Sequence, residues 1–230
     1  MKEITLAIPA FNEADRIGNI LSIVRSIDLF QKIIVINDGS SDNTAQVVQE
    51  YAEKDNRITL IDNPKNQGKG YGIFTAWKQS QTSYMLMLDA DLKGLKPEHI
   101  QDLCEPVLSG QADMTIGLFR KGQWSTDLSH FITPWLSGQR CFRLDLMEQI
   151  SEDASRGYGI ETAMTVASHQ YHWKIRKVFL MGMSHPPNEL HRGSIKGVIN
   201  RMKMYSHVIR AWYIASTKQT KHQVKTRLID

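Results

Sequence analysis

Asp89 and Asp91 stand two residues apart, directly after the apolar run Tyr84-Met-Leu-Met-Leu88. Such a run without alternation reads as a strand buried on both faces. A strand that ends in Asp-Ala-Asp delivers carboxylate oxygens to the mouth of a sheet. In open parallel sheets ligands bind at that mouth, outside the carboxyl ends of the strands. Hard oxygens suit Mg²⁺ or Mn²⁺, which take one or two carboxylates and complete their shell with substrate phosphates. Taken alone, the same residues also read as a polar strand end with a helix-capping Asp.

The elements that would position this pair repeat along the first half. Ile4 to Ile8 reads as a short buried strand closed by Pro9, and a helix starts at about Glu13 with Ile17, Ile20, Leu21, Val24 and Ile27 at helical spacing. Ile33 to Ile36 is a second strand, ending in Asn37-Asp-Gly-Ser-Ser-Asp-Asn-Thr44, and the next helix carries Ala45, Val48 and Tyr51. Ile58 to Ile61 is a third strand. The polar loop from Asp62 to Gly70 leads into a helix through Ile73, Ala76 and Trp77. After the Asp-Ala-Asp strand come a helix over Pro97 to Leu108 and a strand over Asp113 to Leu118. Strands alternating with helices imply βαβ units, a mostly parallel sheet and right-handed crossovers.

Four strand ends therefore carry polar clusters: Asn12-Glu13, Asp38, Gly68-Lys69-Gly70 and Asp89/Asp91. In a parallel sheet they converge on one edge. Ile8-Pro-Ala-Phe-Asn-Glu13, Val35-Ile-Asn-Asp-Gly-Ser-Ser-Asp-Asn-Thr44, Asn66-Gln-Gly-Lys-Gly70 and Leu88-Asp-Ala-Asp91 resemble, in order and spacing, the successive motifs of family 2 type glycosyltransferases with the GT-A fold. Gly138 to Arg143 and Gly157-Tyr-Gly-Ile-Glu161 resemble the acceptor-side elements of glucosyl-3-phosphoglycerate synthases and polyprenyl-phosphate sugar transferases. Those two groups use different acceptors, so the resemblance does not name the acceptor.

The resemblance implies a GT-A, Rossmann-like α/β fold with a mostly parallel central sheet flanked by helices. It implies one glycosyltransferase domain over 1–190, with a nucleotide-sugar half over 1–118 and an acceptor half over 119–190. The donor is a nucleoside-diphosphate sugar, UDP-glucose or a relative, and the cofactor Mn²⁺ or Mg²⁺. Pro9, Ala10, Asn12, Glu13, Asp38, Gly68, Lys69, Asp89 and Ala90 fall on the donor side. A carboxylate such as Asp38 can accept from the uracil N–H, which favours UDP over GDP. Asp91 is assigned to the cation and to catalysis, with His185 as a further metal ligand and His191 as its rival. Glu161 opens a helix, where the dipole favours a carboxylate. Its functional reading is a general base or a ligand of a sugar hydroxyl.

Gly159 and the guanidinium groups of Arg120, Arg140 and Arg143 are expected on the acceptor side, where arginine forks suit a phosphate. Of the last two, Arg140 is the expected ligand. Residues three apart on a strand point to opposite faces, and Arg140 follows Gly138-Gln139. Solvated surface charge accounts equally well for any one of these arginines. Trp124 and Trp135 could stack on a sugar, although core packing also explains Trp135.

The second half continues with a polar stretch over 121–128, a helix over 131–136, a strand over Gly138 to Arg143 and a last strand over Lys177 to Met181. From Ile195 to Trp212 the apolar residues keep helical spacing, opposite Lys196, Arg201, Lys203 and Arg210. This basic amphipathic helix and tail, 191–230, has three readings: packing on the sheet, a homodimer interface, or contact with an anionic membrane.

Bulk properties exclude rather than identify. The chain has 230 residues, 41% hydrophobic and 23% charged, which suits one sizeable core. A net charge of +4 favours anionic ligands but implies no nucleic-acid partner. Two cysteines, Cys104 and Cys141, imply no disulfide framework and a reducing compartment. The start of the chain lacks the character of a signal peptide, and no apolar run is long enough for a membrane span. The expected location is cytoplasmic, or peripheral on the inner face of the membrane. Neither Gly-x-Gly-x-x-Gly after the first strand nor a Walker A loop is present, which disfavours a dinucleotide oxidoreductase. A sugar-phosphate nucleotidyltransferase would want a Gly-rich basic loop where Pro9-Ala-Phe-Asn-Glu13 stands. A non-catalytic binding module would have no need of both Asp89 and Asp91.

Overall fold

The strands are β1 (Ile4–Ala10), β2 (Phe30–Asp38), β3 (Ile58–Asn63), β4 (Tyr84–Met87), β5 (Met114–Arg120), β6 (Arg140–Arg143) and β7 (Ile175–Met181). They form one sheet in the order β3-β2-β1-β4-β6-β5-β7. The computed structural model describes residues 4–120, 137–155 and 159–184. The expectations for 121–128, for the helix over 131–136 with Trp135, for Trp124, for His185 and His191, and for the amphipathic helix from 195 lie outside the described residues.

The helices are α1 (Ala14–Arg25), α2 (Thr44–Ala52), α3 (Lys69–Gln79), α4 (Pro97–Leu108) and α5 (Ile160–Gln170). They cover both faces of the sheet, which is why the central strands are apolar without alternation. On β2, Ile33 and Val35 join the core beneath α1, α2 and α4. Ile34 and Ile36 join the second core beneath α3 and α5. All four are fully buried. Each such side chain contributes about 1.5–3 kcal/mol on burial, so these strands are fixed in place from both sides.

β1 runs to Ala10, beyond the expected end at Ile8. Pro9 is tolerated inside a central strand because the last pair between β1 and β4 is Ala7 with Met87. The ladder closes with the Leu88 N–H donating to the Ala7 carbonyl, and proline supplies no N–H to carry it further.

The chain lays β1, β2 and β3 outward in one direction and then returns to place β4 on the other side of β1. The gap between β1 and β4 is thus a topological switch point, the usual ligand crevice of open α/β sheets. Beyond β4, strand β6 pairs antiparallel with both β4 and β5, while every other pairing is parallel. Its first residue, Arg140, is therefore level with the carboxyl end of β4, opposite Met87. Its last residue, Arg143, is level with the amino end of β4, opposite Tyr84.

Candidate functional site

Lys69 is the first residue of α3. A cation at a helix N-terminus opposes the dipole, so something else must hold it there. Its ammonium lies 2.6 Å from Asp89 Oδ1 and 2.6 Å from Glu161 Oε1. Asp89 follows β4, and Glu161 lies in the first turn of α5. One lysine thus joins three segments at the carboxyl edge of the sheet. Burial pushes the Lys69 ammonium pKa down, but Asp89 and Glu161 outweigh it and the net shift is upward. Lys69 is cationic throughout the neutral range.

The loop that presents Lys69 is tied down by Asp38 at the end of β2. Asp38 Oδ1 accepts from the Gln67 N–H at 2.9 Å and from Asn63 Nδ2 at 3.2 Å, and Oδ2 accepts from the Gly68 N–H at 2.7 Å. Gly39, at φ +73, lets the backbone of Lys65 and Asn66 come so close that a Cβ there would sit 2.5 Å from Asn66 N. The Asp38-Gly39 pair therefore seats the whole 63–68 segment against the end of β2.

The loops after β1 and β2 are laced together. Asn12, in the left-handed region at φ 57, accepts from the Ser41 N–H at 2.8 Å, and its own N–H donates to Ser40 Oγ at 2.9 Å. The Glu13 N–H donates to Thr44 Oγ1 at 2.8 Å, and the Ala14 N–H to Asp42 Oδ2 at 3.1 Å. Glu13 also pairs with Arg16. Burial pushes the Glu13 carboxyl pKa up, the Arg16 bond pulls it partly back, and the nearby Asp91 and Asp42 charges push it up again. Glu13, Asp91 and the Arg16 guanidinium thus sense one another's charge at the switch point.

From the opposite side, the segment Ser137-Gly138-Gln139 enters the site just before β6. Gln139 Nε2 donates to Asp89 Oδ2 at 2.7 Å, and Gln139 Oε1 accepts from the Asp89 N–H at 3.0 Å. Gly138 lies so close that an added Cβ would be 2.4 Å from Lys69 Nζ and 2.6 Å from each Asp89 oxygen. Beneath them Arg140 is fully buried. Its Nε donates to the Ser137 carbonyl at 2.9 Å, and its guanidinium reaches Thr165 Oγ1 at 3.3 Å. Burial lowers the Arg140 pKa to about 10, against an opposing pull from Glu161.

The sequence profile of glycosyl transferase family 2 matches residues 5–164. The chain belongs to glycosyl transferase family 2. Among curated members, a dolichyl-phosphate β-glucosyltransferase of Trichomonas vaginalis is 38% identical over 96 residues, which is 38% of this chain and 28% of that protein. A poly-β-1,6-N-acetyl-D-glucosamine synthase of Staphylococcus epidermidis is 37% identical over 89 residues, 38% of this chain and 21% of that protein. The chain thus spans less than a third of these relatives' own length. Among solved structures, glucosyl-3-phosphoglycerate synthase from Mycobacterium tuberculosis, in complex with Mn²⁺, UDP and glucosyl-3-phosphoglycerate, superposes with a TM-score of 0.71. It is 20% identical, and the match covers 91% of this chain and 80% of that one. At that identity the likeness concerns the fold, a GT-A-like sheet with flanking helices.

Within this family 2 fold, the expected site residues separate into two groups. Glu13, Asp38, Gly68, Lys69, Asp89, Asp91 and Glu161 meet at the carboxyl edge, with Pro9, Ala10, Asn12 and Ala90 in the segments that carry them. Gly159 is the residue capping α5 beside Glu161. Arg120 is the last residue of β5, paired with Met181.

Two arginines need correction. Arg140 was expected to hold an acceptor phosphate, but its guanidinium is shut inside the core. Arg143 was expected on the acceptor side, but it lies at the far edge of the sheet and pairs with Asp113 at 3.1 Å and with Asp145. The antiparallel course of β6 is the reason: its three-residue rise carries Arg143 away from the site. Gln139 was missed altogether. Only its place beside Gly138, ahead of a short strand, could have marked it.

Proposed function

We propose that this chain transfers a sugar from a nucleoside-diphosphate sugar, UDP-glucose or a relative, to an acceptor whose identity is open, a phosphate-bearing or lipid-linked molecule being among the candidates. One observation carries the reading: Lys69 links Asp89, on the donor side, to Glu161, on the acceptor side, through two 2.6 Å contacts. The crevice between β1 and β4 takes the nucleotide. The segments bearing Pro9, Ala10, Asn12 and Glu13 line it on one side, and Lys69 and Asp89 on the other.

The donor set fits a divalent Mn²⁺ or Mg²⁺. Asp91 would offer a hard-oxygen ligand after a strand end, within electrostatic reach of Glu13. When bound, the cation neutralises charge on the departing nucleoside diphosphate. Asp91 would hold it, and Asp89 would hold the ribose or share the metal. His185, outside the described residues, is retained as a further ligand. Lys69 keeps its proton and fixes the Glu161 carboxylate in place. Glu161 then accepts a proton from the acceptor hydroxyl or holds a sugar hydroxyl. An acceptor that attacks through a phosphate oxygen is already ionised and needs no base. Gly159 and Arg120 border the acceptor approach.

The reading of a cytoplasmic location rests on the cysteine count, two in 230 residues. Among the described residues no helix is long and apolar enough to cross a membrane.

Calorimetric titration with UDP, with and without Mn²⁺, tests the reading. Tight binding only with Mn²⁺ is expected, reduced at least tenfold in Asp91→Asn with the unfolding midpoint unchanged. Unaltered metal-dependent binding in Asp91→Asn would remove the cation assignment, and tighter binding of GDP than UDP would reverse the choice of base.

A further inference from the structure

We propose that Gln139 is the positioning residue for Asp89, and that through it strand β6 sets the geometry of the donor side. This rests on the glycosyl-transfer reading above. The Gln139 carboxamide grips Asp89 at two points, donating to the carboxylate at 2.7 Å and accepting from the backbone N–H at 3.0 Å. Its orientation is determined by its partners. Turned over, it would set NH₂ against N–H and oxygen against a carboxylate.

Gln139 is itself immobile. It is fully buried, and its carbonyl accepts from the Gly117 N–H on β5 at 2.8 Å. The grip fixes both the backbone and the side-chain torsions of Asp89. Oδ2 is committed to Gln139, and Oδ1 is presented to Lys69 at 2.6 Å. The two contacts together set the angle at which the Asp89 carboxylate meets the Lys69 ammonium.

The chemistry needs glutamine at this place. A glutamate could not donate to Asp89, and an asparagine is one methylene too short to span both contacts. Methionine has nearly the same volume and fills the hole but makes neither bond. Partners that orient a ligating carboxylate typically change metal affinity or activity by 10–100-fold when removed.

The test is a double-mutant cycle with Gln139→Met, Asp89→Ala and both together, in the full chain. The first readout is thermal unfolding without ligand, which depends on no assumed substrate. A positioning bond requires the Gln139→Met shift in unfolding midpoint to shrink in the Asp89→Ala background. Fully additive shifts overturn the proposal, because Gln139 would then act elsewhere in the fold.

The second readout is UDP binding with Mn²⁺. Gln139→Met should weaken it about 10–100-fold, with no further loss on top of Asp89→Ala. Binding unchanged in Gln139→Met, with the wild type binding normally, overturns the functional part. A wild type that binds no UDP with Mn²⁺ speaks instead against the donor assignment, and the unfolding cycle still decides whether Gln139 holds Asp89.

Discussion

The Lys69 ammonium contacts the Glu161 carboxylate at 2.6 Å, although Lys69 opens α3 and Glu161 opens α5. The two helices start at the same edge of the sheet, so one cation serves two carboxylates that the chain keeps far apart. The arrangement is mostly buried: the Lys69 side chain is 19% exposed and that of Glu161 7%.

Lys69→Met should cost about 3 kcal/mol of stability, the low end for removing one partner of a buried pair because Lys69 keeps some exposure. Urea unfolding measures it. The pH dependence follows from the upward shift of the Lys69 pKa above its ordinary 10.5. Below that value the lysine is protonated in both the folded and the unfolded chain, and its contribution is fully present. As pH rises through the higher folded value, the contribution is lost. The stability gap between wild type and variant should therefore stay flat around neutrality and narrow only in strong alkali. A gap that narrows between pH 6 and 8 contradicts the pairing.

Asp38→Ala should release the 63–68 segment. Two backbone N–H groups, of Gln67 and Gly68, lose a charged acceptor. Hydrogen bonds to charged groups are worth about 1.5–3 kcal/mol each, so the two together put the expected loss in unfolding free energy at roughly 3–6 kcal/mol. Amide exchange at Gln67 and Gly68 should rise ahead of the rest of the chain. If Asp38 served only a nucleotide base, stability without ligand would not change.

Arg140 and Arg143 make a matched pair of controls. Arg140→Ala should destabilise by about 3–5 kcal/mol, as expected for removing a buried charge with fixed partners. Arg143→Ala removes only solvent-exposed ion pairs and should change stability by less than about 1 kcal/mol. Donor and acceptor kinetics should be unaltered in Arg143→Ala. A selective rise in acceptor KM there would restore Arg143 to the acceptor side.

Gly138→Ala introduces a methyl group at 2.4 Å from Lys69 Nζ and 2.6 Å from both Asp89 oxygens. No real Cβ tolerates such distances, so the ends of the Lys69 and Asp89 side chains must shift from the positions in which they meet. UDP binding with Mn²⁺ should fall at least tenfold, while the far-ultraviolet circular dichroism stays that of the wild type. Wild-type binding in Gly138→Ala would show that the donor side does not depend on the Lys69–Asp89 contact.

The sequence by itself determined the alternation of strands and helices, and with it the site's edge. A parallel strand buried on both faces must be apolar throughout, so Ile33–Ile36 and Tyr84–Leu88 were legible as strands, and polar residues could stand only where they ended. Spacing and resemblance therefore sufficed to place Asp38, Lys69 and Asp89 at that edge. Only the tertiary structure decided what they touch. Nothing local announces that β6 is antiparallel and inserted between β4 and β5, because side-chain periodicity reports the faces of a strand and not its direction or its neighbours. That one non-local pairing brings Gln139 to Asp89, buries Arg140 beneath Glu161 and carries Arg143 to the opposite edge.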